Sequence, residues 1–299
     1  MKISILIYEK GIRMKIAAEE LFLLEEKAAQ IRKQICQIAN QVGIIHIGGI
    51  LSAVDVVTAL YYKYLDYDIH RLNDETRDKF ILSKGHCAIL LYTIFCDLGW
   101  YRWEDVFLNY NKIGHVFGQH PNRKYNKGIE VSTGSLGHGL SIGVGMALAN
   151  YSKKIPSRIY CLTGDGEMQE GSNWEAVMYA GSHQLSNLIC IVDFNQSTSS
   201  FKYGDNIVLN WIQAFEAFGW EACMIDGSNM EEVVSVLESL KKVNFDSPTK
   251  PKAIIAKTLK GQNVDFMQGP DWHYGSLDDK LLNDALKSID RHRSNRRKQ

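Results

Sequence analysis

The feature that most constrains this chain is a set of short, uninterrupted apolar runs set between helical stretches. Residues 158–163 read RIYCLT, 188–193 read LICIVD, 252–257 read KAIIAK, and 221–226 form a fourth run. A strand with one wet face alternates apolar and polar residues, whereas β-branched runs without alternation suit strands buried on both faces. Helical periodicity over 170–183 and 230–241 separates these runs. The pattern predicts an α/β fold with a doubly wound, mostly parallel sheet and helices on both faces.

Upstream, residues 16–38 read as an amphipathic helix ended by Gly43, and Ser52 is placed to cap a second helix through Leu65. Residues 78–82 are a short apolar run stopping at Ser83-Lys84-Gly85-His86, with helix following to Leu98. Residues 111–134 show little periodicity, and a loop of that length in a compact domain is usually functional. Residues 136–151 are rich in Gly and Ala at helical spacing, which asks for close packing to offset about 1 kcal/mol per Gly relative to Ala. The expected organisation is an N-terminal extension (1–15), one large domain (16–288) and a solvated basic tail (289–299), with Met14 as an alternative start.

Composition excludes several classes. With 34 Lys+Arg against 34 Asp+Glu the net charge is zero, which removes the footprint of a general nucleic-acid binder. Hydrophobic residues at 45% and charged residues at 23% describe a folded chain rather than a disordered one. No run approaches about 18 apolar residues, so no membrane partner is expected, and the first eight residues lack a secretory cleavage pattern. The cysteines form no CxxC pair and read as buried thiols of a reduced, cytoplasmic compartment.

Ligands of parallel α/β sheets bind beyond the carboxyl ends of the strands. Gly164-Asp165-Gly166 stands there after RIYCLT, with glycines for a tight turn and Asp165 as a hard oxygen ligand for Mg²⁺ or Ca²⁺. The next run ends in Phe194-Asn195-Gln196, so the Asp165 carboxylate and the Asn195 amide oxygen could grip one cation completed by a diphosphate. The bland alternative is two surface turns. Of the histidines, His46, His86, His120 and His273 stand at strand ends or in Gly-rich loops and are favoured as functional, with His70, His183 and His292 left as surface residues. Zinc is the rival reading, but none has a second His or Cys at finger or protease spacing.

The stretch GDGEMQEGSNWEAVMYAGSHQLSNLICIVDFNQ resembles the thiamine-diphosphate motif of transketolases. IHIGGILSAVDVVTALYYKYL, FILSKGHCAILLY, GQHPNRKYNKGIEVSTGSLGHGLSIGVGMALA and KTLKGQNVDFMQGPDWHYG resemble further motifs of that family in the same order. The resemblance implies Asp165, Asn195 and the Ser197 carbonyl as Mg²⁺ ligands, with Ca²⁺ or Mn²⁺ as substitutes. It implies Gly164, Gly166, Glu167, His86 and His273 around the diphosphate, and Gly134, Ser135 and Leu136 near the rings. His46, His120 and His273 fall among the catalytic positions, and Glu170 matches an acidic residue at the subunit interface. Three departures bear on substrate preference: Ile45 and Gln119 stand where the family has glycine, and Phe194 interrupts an acidic context.

Thiamine chemistry also needs a carboxyl group at the aminopyrimidine, which transketolases supply from a second domain. The sequence runs to Gln299, soon after WHYG. The resemblance therefore implies the N-terminal subunit of a split transketolase, forming an α2β2 assembly with a separate C-terminal subunit. Its implied substrates are sugars or sugar phosphates. The alternatives are another thiamine-dependent transferase, one chain of a decarboxylating synthase, or a non-catalytic regulatory subunit. A nicotinamide dehydrogenase is weak, because no GxGxxG follows a strand.

Overall fold

The computed structural model describes residues 16–199, 201–202, 208–240 and 249–296. Helix α1 (Ala18–Val42) buries Leu24, Ala28, Ile31, Ile35 and Ile38, the stripe expected of its three-and-four spacing. It stops at Gly43, whose φ of +86° turns its N–H back to the Ala39 carbonyl.

The next helical segment starts earlier than its sequence suggests. Helix α2 (Ile47–Ser52) leads into α3 (Val54–Ala59) and a π-helical turn, Leu60–Tyr64. Ser52 is not a cap. Its hydroxyl lies 3.1 Å from the Gly49 carbonyl and donates to Asp193 at 2.6 Å. A distant buried carboxylate has taken the hydroxyl that a local N–H would otherwise use.

Strands β1 (Lys79–Leu82), β2 (Ile159–Gly164) and β3 (Leu188–Phe194) are followed by the short antiparallel pair β4 (Ser197–Thr198) and β5 (Phe201–Lys202), then by β6 (Glu221–Asp226) and β7 (Lys252–Lys257). The five longer strands form one parallel sheet in the order β1-β2-β3-β7-β6. Helices α4 (Ala88–Asp97), α5 (Trp103–Asn109), α6 (Gly139–Ser152), α7 (Gly171–Ser182), α8 (Trp211–Ala217), α9 (Met230–Leu240) and α10 (Asp279–Arg296) connect and flank it.

Strand residues divide by parity between two cores. Phe80, Leu82, Tyr160, Leu162, Ile189 and Ile191 join residues of α1, α3, α4, α5, α9 and α10. Ile81, Ile159, Cys161, Leu188, Cys190 and Val192 join residues of α6, α7 and α8. Cover on both faces explains why the central strands β2 and β3 are buried at every position, without the alternation of a half-wet strand. The glycine-rich helix α6 lies close to the sheet: a Cβ at Gly143 would sit 3.4 Å from Leu188 and 3.5 Å from Ile81.

The basic residues expected as a solvated tail are helical as far as Arg296. Helix α10 is tied to α1 by Lys33–Asp290 at 2.7 Å and Arg293–Glu26 at 3.1 Å. The proposed extension 1–15, residues 297–299 and the expected last residue of α9, Lys241, lie outside the described residues. Among the described residues no helix is long and apolar enough to cross a membrane.

Candidate active site

Four parallel strands deliver chemistry to one edge of the sheet, beyond their carboxyl ends. β1 runs into Ser83, Lys84 and His86; β2 into Asp165; β3 into Asn195; β7 into Thr258 and Lys260. The segments carrying His46 and His273 are joined there by an antiparallel bridge, with Ile45 N–H donating to Gly275 at 3.0 Å and Gly275 N–H to Ile45 at 2.9 Å.

Gly164 pairs with Asp193 in the sheet register, which sets the loops after β2 and β3 side by side. Asp165 accepts from the N–H of Gly166 at 2.9 Å and from that of Gln196 at 2.8 Å. Gln196 adopts φ +61°, an uncommon left-handed turn for a residue with a side chain, and its N–H closes the gap between the loops. The Asn195 amide nitrogen donates to Asp193 at 3.3 Å, while its oxygen accepts the Ser197 N–H at 3.2 Å. The Asp193 contact fixes which end of the Asn195 amide is the oxygen. Burial pushes the Asp165 carboxyl up to about 7, and the neighbouring Asp193 acts in the same direction.

Beneath this pair lies a buried charge network that no spacing pattern in the sequence announces. The Lys84 ammonium donates to Asp193, with side chains 1% and 2% exposed, and also to the Gly49 carbonyl at 2.9 Å. Thr258 donates to the other Asp193 oxygen at 2.5 Å, so both oxygens are occupied. Burial alone would lower the Lys84 ammonium, but the adjacent Asp193 carboxylate outweighs it and raises it above the ordinary lysine value.

The histidines favoured by sequence form one cluster. Ring centroids are 5.0 Å apart for His46 and His86, 5.4 Å for His46 and His273, and 6.3 Å for His46 and His120. Burial takes His46 and His273 down to about 4 and His86 well below its ordinary value. These rings are neutral at pH 7, each with one donor and one acceptor nitrogen. The Nδ1 atom of His46 is buried without a partner. Lys260 lies 3.2 Å from Nδ1 of His273, and burial, reinforced by the charge of Lys84, brings its ammonium down to about 8.

The other expected positions divide by what they touch. Gly134, at φ +148°, carries its loop so close to the cluster that a Cβ would come within 2.9 Å of His120. Ser135 beside it is exposed and Leu136 half-buried. Glu167 is buried and presents its carboxylate to protein groups: the Ser83 hydroxyl, the Gly137 N–H at 3.1 Å and the Gly164 N–H at 3.1 Å. Glu170 is exposed at the start of α7. His183 stacks on Tyr179 and His292 pairs with Asp265, both away from the cluster.

The family model described as transketolase, thiamine diphosphate binding domain matches residues 25–289. The chain belongs to the transketolase family. It is 34% identical over 268 residues to one chain of the apulose-4-phosphate transketolase of Phocaeicola vulgatus, covering 89% of this chain and 93% of that one. It is 36% identical over 256 residues to the 6-deoxy-6-sulfo-D-fructose transketolase subunit SqwG of a Clostridium species, covering 84% and 90%. Human transketolase is 33% identical over 285 residues, which cover 94% of this chain but 44% of the human one. The solved transketolase of Campylobacter jejuni superposes with a TM-score of 0.83 at 31% identity, covering 93% of this chain and 43% of that chain. The fold is thus the thiamine-diphosphate-binding fold of transketolases, and the chain spans less than half of these single-chain relatives.

The residues present suit the transketolase cofactor. His46 has an orphaned buried nitrogen, and Asp165 is a carboxylate that burial and Asp193 dispose against carrying charge unless a cation joins it. Among the described residues no group of three or more His, Cys, Asp and Glu side chains gathers as a metal site. A carboxylate, an amide and a main-chain carbonyl make a different set, one suited to a hard cation rather than to zinc.

The neutral histidines make stability depend on pH. His46 and His273 stay unprotonated down to about 4 in the folded chain, against an ordinary value of 6.5. The unfolded chain takes up protons as pH falls through that window and the folded chain does not, so stability is lost as pH falls from 6.5 toward 4. The urea midpoint is expected to drop between about pH 7 and about pH 5, and a His46→Gln, His273→Gln variant to lose part of that drop. An identical pH dependence in parent and variant would refute this assignment.

Proposed function

We propose that this chain is the cofactor-holding subunit of a two-chain transketolase, moving a two-carbon ketol unit from a ketose to an aldose. The observation that carries this is the match, over about nine-tenths of their length, to relatives named as transketolase subunits. Asp165, Asn195 and the Ser197 carbonyl would hold Mg²⁺, or Ca²⁺ or Mn²⁺ in its place. His86, His273, Gly164, Gly166 and Lys260 would surround the diphosphate, and residues 134–136 would flank the rings. When bound, thiamine diphosphate supplies a nucleophilic carbon and an electron sink.

The chain's own residues then bind and move protons. Neutral His46, only half-buried as a residue, can accept a proton from a sugar hydroxyl on its ring, and His120 stands beside it as a donor at the more exposed side. Glu167 locks the turns after β1 and β2, and Glu170 faces outward where a second chain would approach. Ile142, Met178 and Tyr179 leave an apolar face on the adjacent helices α6 and α7, which supports assembly, here proposed as α2β2. The free cysteines suit a cytoplasmic setting.

The test is a donor panel with the purified two-chain complex, thiamine diphosphate and Mg²⁺. Ketose phosphate, unphosphorylated ketose and pyruvate are supplied separately with an aldose. Two-carbon transfer from a ketose is expected. Carbon dioxide release from pyruvate without ketol transfer would favour a decarboxylating synthase, and cofactor binding without turnover a regulatory subunit.

A further inference from the structure

We propose that Tyr274 is a specificity-determining residue of this site, forming an aromatic wall on which the carbon chain of the sugar stacks. The inference rests on the function proposed above, which supplies a polyhydroxylated substrate. Tyr274 lies within the same cluster as the histidines. Its ring centroid is 4.2 Å from that of His46, tilted by 47°, and 4.7 Å from that of His273, nearly perpendicular at 87°. It nevertheless remains 55% exposed, whereas Trp272 nearby is half-buried.

The backbone under this ring is fixed before any ligand arrives. Gly275 is pinned on both sides by the bridge to Ile45, and a Cβ there would come within 2.6 Å of the Trp272 ring. His273 N–H donates to the Pro270 carbonyl at 3.0 Å. Ile45 is itself fully buried, so the bridge that aims Tyr274 is anchored in the core. A ring on a fixed backbone, packed against two imidazoles, loses less entropy than a free side chain when a ligand packs on it.

The chemistry of the ring matches a sugar. Tyrosine joins an apolar face to a polar tip, as a sugar joins a C–H face to hydroxyls. Packed on His46, it stands beside the imidazole proposed above to meet a sugar hydroxyl. Tyr274 therefore shapes the approach to His46 and favours substrates whose carbon chain lies flat against it. An exposed aromatic here could instead be covered by the partner chain, and the experiment separates the two.

The complex of this chain with its partner, loaded with thiamine diphosphate and Mg²⁺, is titrated with D-glyceraldehyde and with D-glyceraldehyde 3-phosphate in the absence of a donor. Binding is read by ligand-observed NMR, and turnover is measured separately. Tyr274→Ala is expected to raise Kd and KM for both aldoses about tenfold while kcat and cofactor affinity stay within about twofold. Tyr274→Phe, which keeps the stacking face, is expected to raise them by no more than about threefold. Unchanged Kd values in Tyr274→Ala, or dissociation of the two chains, would overturn the proposal. An unmutated complex that binds aldoses through Tyr274 but transfers no ketol unit would support the wall and overturn the functional reading instead.

Discussion

Replacing Asp165 with alanine is expected to abolish Mg²⁺-dependent binding of thiamine diphosphate while leaving the chain folded. Asp165 is the one carboxylate in the proposed ligand set, and neither the Asn195 amide nor a main-chain carbonyl brings negative charge to the cation. Folding should tolerate the change because burial already disfavours the charged side chain, whose pKa rises to about 7. The cost is two N–H groups, of Gly166 and Gln196, left without an acceptor. Each unsatisfied group costs about 1–3 kcal/mol, and relief of the carboxylate's desolvation offsets part of that. Tryptophan fluorescence titration of the cofactor at saturating Mg²⁺, beside a thermal melt of the same sample, reads both effects. A folded variant that binds as tightly as the parent would sink the metal assignment.

The second large effect is on stability. Lys84→Met leaves Asp193 buried without its cation, with Ser52, Thr258 and Asn195 still donating to it. Removing one partner of a buried pair costs about 3–5 kcal/mol, because the remaining charge is left uncompensated. Solvent-exposed pairs such as Lys153–Glu75 contribute about 0–1 kcal/mol by comparison. Urea unfolding is expected to show the larger figure for Lys84→Met, and a shift no larger than that of a surface pair would mean that Asp193 does not depend on Lys84.

How legible this was in the sequence depended on the range of the interaction. Strand β7 has the bounds its apolar run indicates, since burial on both faces writes itself into consecutive residues, and the edge strand β6 keeps its expected bounds with only Ile225 buried. The placement of Asp165 and Asn195 on adjacent loops was also readable, because strand ends in a parallel sheet share an edge. Lys84, Asp193, Ser52 and Thr258 were not. Their contacts span from 65 to 141 residues. A lysine two residues beyond an apolar strand was the one local signal of that network. Tyr274 escaped for a related reason: its position depends on the Ile45–Gly275 bridge, and neither segment alone shows an alternating pattern.

The most direct test of an active site shared between two chains is ketol transfer by this chain alone and after mixing with its partner, each with thiamine diphosphate and Mg²⁺. Turnover is expected only in the mixture, with negligible activity from the single chain. Full turnover by the rigorously purified chain alone would contradict it.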